Sequence, residues 1–210
     1  MSDILDTLGM FDAAAALPEQ VAAAAETARA VTGPLPDHDD IENVVVLGMG
    51  GSGIGGDLLR EVAGPFMPVP VVVHKGYGIP NFIGESSLVF ALSFSGNTEE
   101  TLEAASEAAA AGGRLVVVSS GGELAELAEQ WGAAIVPVQA GIPMPRAAIG
   151  ALGIPPLVVL ETVGLFPGAS AWIEAAVDQL LVRRDELITE GNMAQQLARR
   201  IGRQLPIVYG

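Results

Sequence analysis

The chain has 210 residues, half of them apolar, with 10 basic and 25 acidic side chains for a formal charge of −15, and no cysteine. That composition supports a buried core, excludes disulfides and thiolate metal sites, and disfavours nucleic acid, whose phosphates an acidic surface repels. The longest apolar run, Ala147–Leu160, is too short to span a bilayer and contains Pro155 and Pro156, and no basic segment precedes an apolar one at the start, so a cytoplasmic location without a membrane role is expected.

Residues 11–31 are alanine-rich and predict a helix broken early by Pro18 and ended near Gly33-Pro34, followed by a polar connector, Pro34–Asp40. Short β-branched or apolar runs then alternate with helical stretches. Strands are predicted at Val44–Leu47, Val69–Val73, Leu88–Leu92, Leu115–Val118 and Ala134–Val138. Helices are expected at about Asp57–Ala63, Thr98–Ala111 and Leu124–Trp131. Ala147–Leu160 reads as a buried helix, a turn at the two prolines and another buried segment, and Arg146–Leu152, Trp172–Ile188 and Met193–Gln204 are helix candidates. Uniformly apolar strands alternating with helices predict an α/β fold with a mostly parallel five-stranded sheet between helical layers. Ligands of such sheets bind beyond the strand C-terminal ends.

Two glycine- and serine-rich segments lie there. Gly48-Met49-Gly50-Gly51-Ser52-Gly53 matches the dinucleotide pattern G-x-G-x-x-G. The second strand, however, runs into His74-Lys75-Gly76 rather than the acidic residue that would hold a ribose. A plain strand-to-helix turn would also use the glycines, but Ser52 adds a hydroxyl donor where N–H groups converge. The second segment, Ser93-Phe94-Ser95-Gly96-Asn97-Thr98-Glu99-Glu100-Thr101, gathers hydroxyls and free N–H groups at the positive end of a helix, which can bind a dianionic phosphate without a lysine. The blander possibility, Thr98 as a simple helix cap, does not require Ser93 and Ser95. A local site of this kind suits a chain whose only lysine is Lys75 and whose only histidines are His38 and His74.

The S-x-S-G-N-T-E-E-T string resembles the phosphate loop of SIS (sugar isomerase) domains. Gly50-Gly51-Ser52-Gly53-Ile54-Gly55-Gly56-Asp57 resembles the matching first loop of one subgroup, the bifunctional phosphoglucose/phosphomannose isomerases. Pro143-Met144-Pro145-Arg146-Ala147-Ala148 resembles that subgroup's P-R motif, and Glu190-Gly191-Asn192 the segment carrying its catalytic glutamate. The resemblance implies aldose–ketose isomerisation of hexose 6-phosphates through a cis-enediolate, with no metal or organic cofactor, in a homodimer. It implies that Gly50, Gly51, Ser52, Ser93, Ser95, Thr98 and Pro145 bind substrate, that Arg146 stabilises the enediolate and that Glu190 is the base. The family's second SIS domain supplies the ring-opening histidine and a further lysine, which His38, His74 and Lys75 do not match. Residues 1–40 are accordingly expected as a helical segment and connector, 41–165 as the SIS domain, 166–204 as a helical linker and 205–210 as the opening strand of a second SIS domain, so that the sequence reads as a fragment with little isomerase activity of its own. Two rivals remain: a non-catalytic SIS module that senses a sugar phosphate, and a nicotinamide-dependent oxidoreductase.

Overall fold

The structure is a computed structural model that describes residues 6–202 and 204–207. Five strands, β1 (Asn43–Leu47), β2 (Val71–His74), β3 (Ser87–Ser93), β4 (Arg114–Ser119) and β5 (Ala134–Pro137), form one all-parallel sheet in the order β2-β1-β3-β4-β5. Each predicted strand is present within one to two residues of its expected bounds. The reason is burial on both faces, which makes β1, β3 and β4 read as continuous apolar runs.

Successive side chains alternate between two cores. Val44, Val46, Leu88, Phe90, Leu92, Val116 and Val118 face one helical layer: α2 (Leu17–Arg29), α3 (Gly50–Ala63), α6 (Ile149–Thr162) and α7 (Ala169–Leu187). Val45, Leu47, Val89, Ala91, Leu115 and Val117 face the other, α4 (Glu99–Ala110) and α5 (Gly122–Trp131). A short α1 (Met10–Ala15) and an exposed α8 (Met193–Ile201) complete the described helices. The sheet order reverses between β1 and β3, so α3 leaves on one face and α4 on the other. A crevice opens at their N-terminal ends.

Three helices depart from expectation. The early break falls at Ala16, and Pro18 lies in the first turn of α2, where its missing N–H costs nothing. Helix α3 begins at Gly50 rather than near Asp57, so most of the supposed glycine loop is helix. Its glycines serve close approach. A Cβ on Gly56 would stand 2.8 Å from Val46 Cγ1 and 3.0 Å from Val73 Cγ1.

The third departure is α6, which runs unbroken through Pro155 and Pro156, while the segment predicted as helix from Arg146 opens as a 3-10 turn, Pro145–Ala147. Two prolines cost roughly 3 kcal/mol or more each in a helix interior. Burial offsets this, because Gly150–Leu160 is enclosed on all sides and each large apolar side chain contributes about 1.5–3 kcal/mol. Pro156 leaves the Leu152 carbonyl without its helical partner. That carbonyl faces Gly55 of α3, where a Cβ would come within 3.3 Å, and a Cβ on Gly153 would meet Leu58 at 2.7 Å. Helices α3 and α6 therefore cross at paired glycines.

Glu161, near the end of α6, caps α7 by accepting from the N–H groups of Gly168 at 3.1 Å and Ser170 at 3.2 Å, and from the Ser170 hydroxyl. Partial burial pushes its pKa up, but these bonds and the nearby Arg29 outweigh it and hold the carboxyl below its ordinary value of 4.5. Leu205–Ile207 is exposed and forms no strand, and residues 208–210 of the expected terminal strand lie outside the described residues. Helix α8 ends at Ile201, short of the expected Gln204.

Gly56→Ala should lower stability by about 1–3 kcal/mol in urea denaturation through overpacking. Gly64→Ala, at a helical φ of −48° with only an ordinary contact at 3.8 Å, should stay within about 0.5 kcal/mol. Glu161→Gln should cost stability above the ordinary carboxylate pKa of 4.5. Because the folded pKa is depressed, the wild-type advantage should shrink as pH falls below that value, checked by denaturation from pH 7 to 3.

Candidate functional site

The crevice between the N-terminal ends of α3 and α4 is built from the segments after β1, β3 and β4. Ser52, in the first turn of α3, is 6% exposed and its Oγ accepts the Phe94 N–H at 3.3 Å. One side chain thus ties the first segment to the second. Ser93, 1% exposed at the end of β3, places its Oγ 3.1 Å from Thr98 Oγ1 and accepts the Gly96 N–H at 3.1 Å. Thr98 is the N-cap residue of α4, yet its side chain caps nothing. Its hydroxyl faces Ser93 instead, which the simple-cap explanation does not provide for. Ser95 is exposed, and its Oγ accepts the Asn97 N–H at 3.2 Å.

The turn is rigid because a third segment locks it. Gly96 sits at φ +70°, and a Cβ there would fall 1.8 Å from the Gly121 carbonyl oxygen, so no other residue fits. The Gly96 carbonyl accepts the Leu124 N–H at 2.9 Å, and Asn97 Oδ1 accepts the Glu123 N–H at 3.0 Å, both from the first turn of α5. The Phe94 carbonyl accepts the Ser120 N–H at 3.2 Å and the Ser120 hydroxyl. Ser119 pairs with Ser93 across the strands, and its hydroxyl donates to the Gly121 carbonyl at 2.8 Å. Sequence inspection missed Asn97, Ser119 and Ser120 as site-building residues. Their signal was a third small-polar cluster, Ser119-Ser120-Gly121-Gly122, at a strand C-terminal end.

Electrostatically the crevice favours an anion. The first N–H groups of α3 and α4 have no acceptor within their helices and carry the positive helix ends. Pro145 and Arg146 lie against the start of α3, since a Cβ on Gly51 would stand 3.0 Å from the Pro145 carbonyl oxygen and 3.6 Å from Arg146 N. Gly50 opens α3 at φ +51° with open space at its Cβ position. Arg29, Arg60, Lys75, Arg114, Arg183 and Arg184 all pair with carboxylates. Arg146 is exposed, with no carboxylate in salt-bridge range among the described residues.

Other candidates are not brought in. Lys75 crosses Gly53 and pairs with Asp57, so the cation considered for an extra cofactor phosphate is engaged. His38 sits between Asp37 and Asp39, and His74 Nε2 lies 3.1 Å from the Tyr77 carbonyl oxygen. Glu190 is exposed in the turn after α7 and, among the described residues, makes no hydrogen bond or ion pair with the crevice. It does lie at the same end of the molecule. Arg184 of α7 pairs with Glu19, and the neighbouring Gln20 donates to the Ala147 carbonyl at 2.8 Å. Among the described residues no helix is long and apolar enough to cross a membrane.

No protein-family model matches the chain. It is 37% identical over 205 residues to the bifunctional phosphoglucose/phosphomannose isomerase of Caldicellulosiruptor bescii, covering 96% of this chain and 60% of that one. It is 35% identical over 170 residues to the protein of the same name from Thermoplasma acidophilum, covering 80% of this chain and 49% of that one. The chain thus spans less than two thirds of the relatives it matches. Among solved structures, the C-terminal domain of glucosamine-fructose-6-phosphate aminotransferase from Francisella tularensis superposes with a TM-score of 0.63 over 96% of this chain and 59% of that one, at 16% identity. At that identity the likeness establishes the fold, the three-layer α/β architecture of SIS domains.

Ser52→Ala should leave the Phe94 N–H without its acceptor and lower stability by about 1–3 kcal/mol in urea denaturation.

Proposed function

We infer, for a chain related to the bifunctional phosphoglucose/phosphomannose isomerases over nearly all of its length, that the crevice binds the phosphate of a hexose 6-phosphate and that the chain forms the phosphate-holding part of an aldose–ketose isomerase. The observation that carries this reading is the Ser52–Phe94 tie, which joins two helix N-termini and four hydroxyl-bearing residues at the sheet's switch point. The substrates of this reading are glucose 6-phosphate, mannose 6-phosphate and fructose 6-phosphate. It carries with it a homodimer and a cytoplasmic location.

In this mechanism Ser52, Ser93, Ser95, Thr98 and the first N–H groups of α3 and α4 hold the phosphate, with Gly50 and Gly51 leaving the backbone accessible. Fixing the phosphate fixes the far end of the sugar, so that C1 and C2 reach a defined position. Arg146, beside the start of α3, stabilises the negative oxygens of the cis-enediolate, and Pro145 sets its approach. Glu190 moves the proton between C1 and C2, which requires the turn after α7 to close over the crevice. Neither His38 nor His74 matches the ring-opening histidine that the resemblance implies.

A second reading, a module that binds sugar phosphate without turning it over, is favoured by the exposure of Glu190. Calorimetric titration separates the possibilities. Fructose 6-phosphate should bind, and Arg146→Ala should weaken an enediolate analogue about tenfold more than it weakens inorganic phosphate. Equal effects on both ligands would favour the sensing module. Saturable binding of a nicotinamide cofactor without sugar-phosphate binding would overturn the reading.

A further inference from the structure

The connection after β2 is pinned at three points beside this crevice. Lys75 lays its stem over Gly53, where a Cβ would meet Lys75 Cε at 3.0 Å, and its ammonium pairs with Asp57 of α3. Three residues later the Gly78 N–H donates to Glu103 Oε1 of α4 at 3.3 Å. Between them the Tyr77 carbonyl is held 3.1 Å from His74 Nε2. Helices α3 and α4 lie on opposite faces of the sheet, so residues 76 and 77 must cross its C-terminal rim to reach from one to the other. The crossing uses Gly76 at φ +154° and Gly78 at φ +66°.

Tyr77 therefore has a fixed backbone, yet the residue is 52% exposed rather than packed in either core. Resting on the sugar-phosphate reading, we propose that Tyr77 is a specificity-determining residue that presents its phenol to the sugar portion of a bound hexose phosphate. The nest after β3 can satisfy a phosphate alone, but nothing in it discriminates a sugar phosphate from free phosphate. A phenol offers what a sugar adds: a hydroxyl donor for its oxygens and a ring face for its C–H groups. The donor is available throughout the physiological range. Partial burial, then the charges of Glu99, Glu100 and Glu103, push the phenol pKa above its ordinary value. Those same carboxylates make a second anionic group unwelcome at this rim, whereas a neutral polyol is tolerated.

The test is calorimetric titration of the full chain and its Tyr77→Ala and Tyr77→Phe variants with fructose 6-phosphate and, separately, inorganic phosphate. Tyr77→Ala should weaken fructose 6-phosphate about tenfold and leave inorganic phosphate within about twofold. Tyr77→Phe, which preserves the ring, should give a smaller loss of about threefold for the sugar phosphate alone. It also keeps the test decisive if the alanine variant fails to fold. Unchanged sugar-phosphate affinity in both variants, or parallel loss for both ligands, would overturn the assignment of Tyr77 while leaving the sugar-phosphate reading intact. Failure of the wild-type chain to bind fructose 6-phosphate would overturn both.

Discussion

The close approach of α3 to its neighbours is the constraint from which the rest of the site follows. A helix with ordinary side chains at Gly55 and Gly56 would stand further from β1 and from α6. Its first turn would then not reach β3, and Ser52 could not accept the Phe94 N–H. Gly55 and Gly56, just beyond the string that invites a dinucleotide comparison, are thus packing residues. They exchange local helix propensity for proximity. The same proximity accommodates the carbonyl freed by Pro156, so the costs of two unfavourable sequence features meet at one helix crossing.

An acidic chain that binds an anion has to concentrate positive potential locally. The formal charge of −15 repels phosphates at a distance, and the single lysine is engaged by Asp57. Backbone N–H groups, hydroxyls and two helix ends then supply the attraction, with Arg146 as a nearby cation that has no carboxylate in range among the described residues. Such a nest works only if its turn is rigid, because a flexible one would lose entropy on binding. Rigidity here comes from the α5 side. Asn97, Gly96 and Phe94 are each held by groups after β4, which makes the post-β4 turn part of the site without supplying a ligand to it.

Much of this was legible in the sequence, for identifiable reasons. The strands were, because two-sided burial writes them as short apolar runs. The S-x-S-G-N-T string stood out for its hydroxyls at Ser93 and Ser95, and the turn it forms engages both, with the N–H groups of Gly96 and Asn97. The start of α3 was not, since glycines signal a turn unless the tertiary crowding at Val46, Val73 and Leu152 is known. Nor was α6, where burial overrides two prolines that locally predict a break. Asn97 stood out only as part of the S-x-S-G-N-T string, because its bond to the Glu123 N–H depends on α5, distant in sequence. Glu190 was singled out by resemblance alone, and it sits exposed in the turn after α7. No periodicity could have indicated where that turn would lie.

The measurement that bears most directly on this account is a crystal structure of the chain grown with fructose 6-phosphate. The account predicts the phosphate at the switch point between β1 and β3, within hydrogen-bonding reach of Ser93, Ser95 and Thr98 and facing the first turns of α3 and α4, with the sugar directed toward Arg146. Phosphate density at any other surface, with this crevice filled only by water, would contradict it.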